Sequence, residues 1–146
     1  MSQSSKKNHI FLKHTADVKF QAFGKTPEKC FENAACALKE ILTSQRIKTI
    51  KTKKISCKGK DFESLLYNFL EEFLFLLNSK NFIFSKIKKI DIEIQKKQYK
   101  ITAEIQGDSS KNYQIKTDIK AITYNDMFVK FDDKTKKYAC QVVVDV

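Results

Sequence analysis

Val18, Phe20 and Ala22 alternate with Lys19, Gln21 and Phe23, which is the period of a strand buried on one face. The stretch from Ile10 to Gly24 therefore reads as one or two strands, with Gly24 ending it. Thr26-Pro27-Glu28 is a helix start: Thr26 can cap, Pro27 fits the first helical position and Glu28 suits the positive end. Phe31, Ala35, Leu38 and Leu42 then recur at helical spacing and predict a helix to about Leu42. From Ile47 to Lys58 the pattern turns strand-like, with Ile50, Ile55 and Cys57 as its few apolar anchors. Lys48, Lys51, Lys53, Lys54, Lys58 and Lys60 make this the densest positive stretch, as an edge strand blunted by lysines would be.

Asp61 can cap a second helix. Leu65, Leu66, Phe69, Leu70, Phe73, Leu74, Leu76 and Leu77 give it a broad apolar surface, so it is expected to be the most buried element, stopped at Asn78-Ser79-Lys80-Asn81. The remainder reads as strands. Ile90, Ile92 and Ile94 alternate with charge, as do Tyr99, Ile101, Ala103 and Ile105 with polar residues, and Gln95-Lys96-Lys97-Gln98 joins the two as a hairpin. Gly107 to Asn112 reads as a polar loop. Strands are expected near Ile115 to Tyr124 and Met127 to Phe131, then a turn at Asp132-Asp133-Lys134 and a final strand from Tyr138 to Val144. The economical architecture is α+β: a two-layer domain with two main helices packed on a largely antiparallel sheet.

Composition narrows this. The 146 residues, 42% hydrophobic, suit one domain with a sizeable core, expected over 10–146, with residues 1–9 as a polar disordered tail. That start lacks the apolar stretch of a signal peptide, and no run reaches the length of a membrane span, so a cytoplasmic protein without a membrane partner is expected. Cys30, Cys36, Cys57 and Cys140 form no C-x-x-C pair, and with two histidines they read as reduced core thiols instead of a zinc site. The net charge of +11 invites nucleic acid, but only Arg46 of the 28 basic residues carries the planar fork suited to phosphates and base edges.

No glycine-rich phosphate loop, G-x-S-x-G or H-E-x-x-H is present. Two segments stand out. His14-Thr15-Ala16-Asp17 sets a polar, turn-like group before an alternating strand, and Asp145 follows the apolar run Val142-Val143-Val144 beside the carboxylate of Val146. By spacing alone, a hydrogen-bonding turn and a solvated terminus account for both.

The order of four motifs adds to this. His14-Thr15-Ala16-Asp17-Val18 with Ala22-Phe23-Gly24 and Phe31-Glu32-Asn33-Ala34-Ala35, then Leu65-Leu66-Tyr67-Asn68-Phe69-Leu70, then Ile119-Lys120-Ala121-Ile122-Thr123-Tyr124, then Val142-Val143-Val144-Asp145-Val146, together resemble the archease family. Three positions depart from its pattern: Asn125 and Tyr113 stand where the family often has His, and Gly107-Asp108 where it has Gly-Glu.

The resemblance implies a non-catalytic, metal-binding activator of the GTP-dependent RNA ligase of tRNA splicing, which joins 3′-phosphate and 5′-hydroxyl ends. The activator would promote guanylylation of the ligase and multiple turnover. It implies a metal site from Asp17, Asp145 and the terminal carboxylate of Val146. Such hard oxygen donors suit calcium, the expected ion, with magnesium or manganese as alternatives. By the same resemblance Lys120 would contact the partner and His14 would buttress Asp17. Two rival readings are a basic RNA-binding module, with weak RNA contact through the lysines, and a chaperone-like modulator of nucleic-acid enzymes. A small metal-dependent hydrolase is a third.

Overall fold

The computed structural model of the chain describes residues 8–12 and 17–146. Its elements run β1 (His9–Leu12), β2 (Val18–Gly24), α1 (Pro27–Leu42), β3 (Lys51–Gly59), α2 (Phe62–Lys80), β4 (Phe82–Gln95), β5 (Gln98–Ser109), β6 (Ala121–Asp132) and β7 (Lys137–Asp145). The fold is α+β, and the strands divide into two antiparallel sheets, β1-β2-β7-β6 and β3-β5-β4. Residues 1–7 of the expected tail lie outside the described residues, while His9, counted with it, already pairs with Ala22 in β1.

Both helices begin as the sequence expects. Thr26 Oγ1 accepts from the Lys29 N–H, Pro27 takes the first turn, and Asp61 forms a reciprocal capping box with Ser64. α2 ends where Asn81 turns left-handed at φ 51°. Each helix packs against both sheets, so its buried arc is wide: Leu65, Leu66, Phe69 and Leu70 of α2 are all fully buried. Phe31 of α1, Phe69 and Phe73 of α2 and Phe84 of β4 form a chain of ring contacts at 4.9 to 5.9 Å. Burying each such side chain contributes roughly 1.5–3 kcal/mol.

The thiols behave as core fillers: all four are free, with Cys30 and Cys140 buried. Burial pushes the half-buried Cys57 thiol up to about 12, with Glu72 adding to the shift, so it stays protonated at neutral pH.

The lysine-rich stretch holds the edge strand β3, as expected, but the strand begins at Lys51 instead of Ile47, and Ile50, read as an apolar anchor, lies ahead of it and is exposed. The register of β3 sets Lys54 beside Glu104 of β5, itself beside Lys89 of β4, so opposite charges alternate across that sheet face. The other long edges are closed differently. Glu28 of α1 accepts from the Ile92 N–H of β4 at 3.2 Å, and Glu71 and Glu63 of α2 accept from the Ile122 and Val129 N–H groups of β6 at 3.2 and 3.1 Å. Removing such an acceptor orphans an edge N–H, which costs about 1–3 kcal/mol. Glu71→Ala is therefore expected to lower the unfolding free energy by about 1 kcal/mol, the low end because water reaches an edge, with Glu71→Gln near the parent in urea titration.

Several local expectations are revised. α2 is not the most buried element: nine of the 16 residues of α1 are buried against seven of the 19 of α2, and Phe75 of α2 is exposed. The segment from 113 to 120 is not strand, since β6 begins at Ala121, and the two strands expected between Ile115 and Phe131 are one interrupted strand. Gly107 lies in β5, not in a polar loop: it pairs with Lys51 on one side and Phe84 on the other, and it is buried. Its polar neighbours hid a strand end whose inward-facing position needs a residue without a side chain.

Candidate functional site

The alternating residues of β2 pair with those of β7, Phe20 with Val142 and Val18 with Val144. Asp17 and Asp145 are the next residues on these two paired strands, so the ladder brings their backbones to one sheet end. Ala121 of β6 pairs with Asp145, and the Lys120 N–H donates to the Asp145 carbonyl at 2.8 Å. Asp17, Lys120, Asp145 and Val146 are thus gathered at one tip by three adjacent strands. His14 lies outside the described residues.

The tip is abrupt. Val142, Val143 and Val144 are each fully buried, and Asp145 is exposed. Val142 and Val144 share the helix-covered face with Phe20. Val143 points the other way, between Lys19 of β2 and Thr123 of β6. Lys19 Nζ reaches Asp126 of β6 at 3.1 Å, and the Gln141 side chain donates to the Asp126 carbonyl at 2.8 Å. The segment 124–127 therefore bridges across β7 and closes over Val143.

This segment is a bulge: Thr123 pairs with Val143 and Phe128 with Gln141, leaving four residues opposite one. Tyr124 stacks on Tyr67 of α2 with centroids 4.3 Å apart and planes 5° from parallel. Glu63, Tyr67 and Glu71 stand one helical turn apart on α2. They grip β6 at Val129, Tyr124 and Ile122 respectively, on both sides of the bulge. Sequence reasoning passed over this polar stripe because apolar periodicity dominates α2. The acid–Tyr–acid spacing was the available signal, though it could not say which edge the stripe would hold.

Among the described residues no group of three or more His, Cys, Asp or Glu side chains is placed to hold a metal ion. The expected site asks for less: two aspartates and a main-chain carboxylate, all hard oxygen donors, which fit a cation such as calcium. No described helix is long and apolar enough to cross a membrane.

The archease protein family (MTH1598/TM1083) matches residues 10–146. The chain belongs to the archease family. It is similar to the archease of Methanosarcina barkeri, 37% identical over 146 residues that cover 98% of this chain and 99% of that protein. Its fold is similar to the solution structure of Methanobacterium thermoautotrophicum protein 1598, with TM-score 0.82 and 28% identity over 95% of this chain and 99% of that one. The crystal structure of an archease and possible chaperone from Thermotoga maritima shares the fold at TM-score 0.58, with 22% identity over 92% of this chain and 94% of that one.

Two of this archease's departures from the family pattern meet each other. The Tyr113 hydroxyl donates to Asp108 Oδ2 at 2.8 Å and accepts from the Lys48 N–H at 2.9 Å, which ties the segment after β5 to the one before β3. Ser109 N–H donates to the other carboxylate oxygen at 2.7 Å. The Tyr113 hydroxyl, then the Ser109 N–H, hold the Asp108 carboxyl below the usual carboxylate range. A carboxyl depressed on folding contributes stability above its unfolded value near 4, and that contribution is lost as pH falls through the folded value. Tyr113→Phe is thus expected to melt below the parent at pH 7, with the gap narrowing by pH 3. A gap that stays constant across the two pH values would break the link to Asp108. The third departure, Asn125, sits exposed in the β6 bulge, where its N–H donates to Thr123 Oγ1 at 3.3 Å.

Proposed function

We propose that this archease is a non-catalytic activator of a GTP-dependent RNA ligase of tRNA splicing, and that its acidic tip is the acting part. The observation that carries the reading is the register of β2 on β7, which makes Asp17 and Asp145 neighbours at one strand end although 128 positions separate them in the chain. The exposed Lys120 is joined to that end through its own main chain.

Asp17, Asp145 and the terminal carboxylate of Val146 would hold a divalent cation, whose charge offsets the repulsion among them and can neutralise phosphate oxygens of a bound nucleotide. The chain's own contribution is rigidity. Asp145 follows three buried valines, its carbonyl is held by Lys120, and the neighbouring strand is gripped by α2. Lys120 adds a positive group for an acidic or phosphate-bearing surface on the partner. Membership in the archease family and the absence of any recognisable catalytic motif in the sequence support an accessory role.

The test adds the purified protein to its cognate ligase with GTP, with and without divalent metal, and reads out guanylylated ligase. A rise that requires metal is expected. An unchanged yield at saturating protein and metal would rule the reading out.

A further inference from the structure

An open cleft of about 550 Å³ lies at the other end of β2 and β7 from the acidic tip. Val18 to Gly24 spans six residue steps, so cleft and tip are about 20 Å apart along the strands. The cleft has an identifiable origin. Phe23 of β2 faces Ala139 of β7 across the ladder, and Ala139 is too small to cover it. Lys25, Lys29 and Lys137 line the opening, and the start of α1 beside Lys25 adds its partial positive charge. Asp132 is the one acidic lining residue, and its oxygens are taken by the Lys134 N–H at 3.0 Å and the Thr135 hydroxyl at 3.1 Å within the turn. Among the described residues Lys25 and Lys137 make no ion pair, and Lys29 has only a 3.5 Å contact with Glu32.

We propose that this cleft binds single-stranded RNA, seating a base against Phe23 with the flanking phosphates on Lys25, Lys29 and Lys137. A volume of this size accepts one nucleotide, an aromatic floor accepts any base, and lysines without arginine favour phosphate over base-edge readout. A second cleft, about 360 Å³ on the β3-β5-β4 sheet, lacks this bias, because Asp91 and Glu104 stand beside its Lys54 and Lys89. The site does not depend on the tip, and the two can be tested apart.

The experiment is fluorescence anisotropy of an end-labelled, unstructured RNA decamer with the full chain at 50 and 200 mM salt. With three phosphates neutralised, affinity is expected to fall roughly 20-fold between the two salts. Lys25→Glu with Lys137→Glu should weaken binding at least tenfold. Ala139→Leu, which fills the cleft at constant charge, should do the same with an unchanged melting temperature. Lys54→Glu with Lys58→Glu, which lowers the net charge equally elsewhere, should stay within threefold of the parent. Equal losses for both lysine pairs would reduce the effect to general charge and overturn the proposal, as would full affinity in Ala139→Leu. Displacement of the RNA by GTP as readily as by unlabelled decamer would assign the cleft to a free nucleotide and overturn it as well.

Discussion

Asp145→Ala and Asp17→Ala, each made singly, are expected to abolish stimulation of multiple-turnover ligation by the cognate RNA ligase and to leave the protein folded. The two carboxylates come from different strands and neither has a substitute: Asp145 follows a run of valines, and Val18 opens β2 on the other side. On the metal site proposed above, deleting either would leave the cation one charged ligand short. Asp145 is exposed, and what it gives the fold is its carbonyl, which accepts from Lys120 and survives the substitution. The exposed Asp145→Ala should move stability by about 0.5 kcal/mol or less, a shift of roughly 2 °C in melting temperature at this size, whereas the half-buried Asp17, which has a partner of its own, is expected to give a lower-melting but folded variant. Paired melts and ligation time courses check both halves at once. Full stimulation by both variants would remove the tip from the mechanism.

Gly107→Ala is expected to be the most damaging single-methyl change in the protein. A Cβ at this position would overlap the Ile83 carbonyl oxygen and press on the Phe82 ring at 2.8 Å. Both belong to β4, paired with the strand that carries Gly107, so relief requires separating β4 from β5. Because β5 is the middle strand of its sheet, the disturbance reaches β3 as well. Overpacking of this kind costs up to about 3 kcal/mol where a flexible side chain can yield, and here the obstacle is main chain. Chemical denaturation should show a loss of at least about 3 kcal/mol, or an expressed chain that does not fold. A loss below 1 kcal/mol would mean that β4 can shift sideways at its bulge near Ser85.

The contrast between these two predictions shows what could be read from residue order. Helix starts were legible because Thr26-Pro27-Glu28 and Asp61 act through their own backbone neighbours, and the structure places both caps as expected. The alternation of β2 and the hairpin at Lys96-Lys97 were legible for the same reason, since strand period and a two-residue turn are local. Gly107 was not, because its requirement is set by Ile83, on the neighbouring strand. The β6 bulge was hidden too: its tethers are Tyr67, Lys19 and Gln141, from three different elements. For the tip, spacing alone favoured a turn and a solvated end. The family resemblance singled out Asp17 and Asp145, and the β2–β7 register brings those positions together without itself testing a metal.

β7 is the last strand in chain order, yet it occupies an interior place between β2 and β6. During synthesis the earlier strands emerge with a gap where their shared neighbour belongs, and neither can be satisfied by the other. That half of the molecule cannot close until the final strand clears the ribosome and threads into the vacancy. Any nascent or truncated chain lacking β7 would expose two unmatched strand edges and a bare apolar helix face, which marks it for chaperone capture or proteolysis. The acidic tip would then exist only on molecules whose translation had run through to that strand.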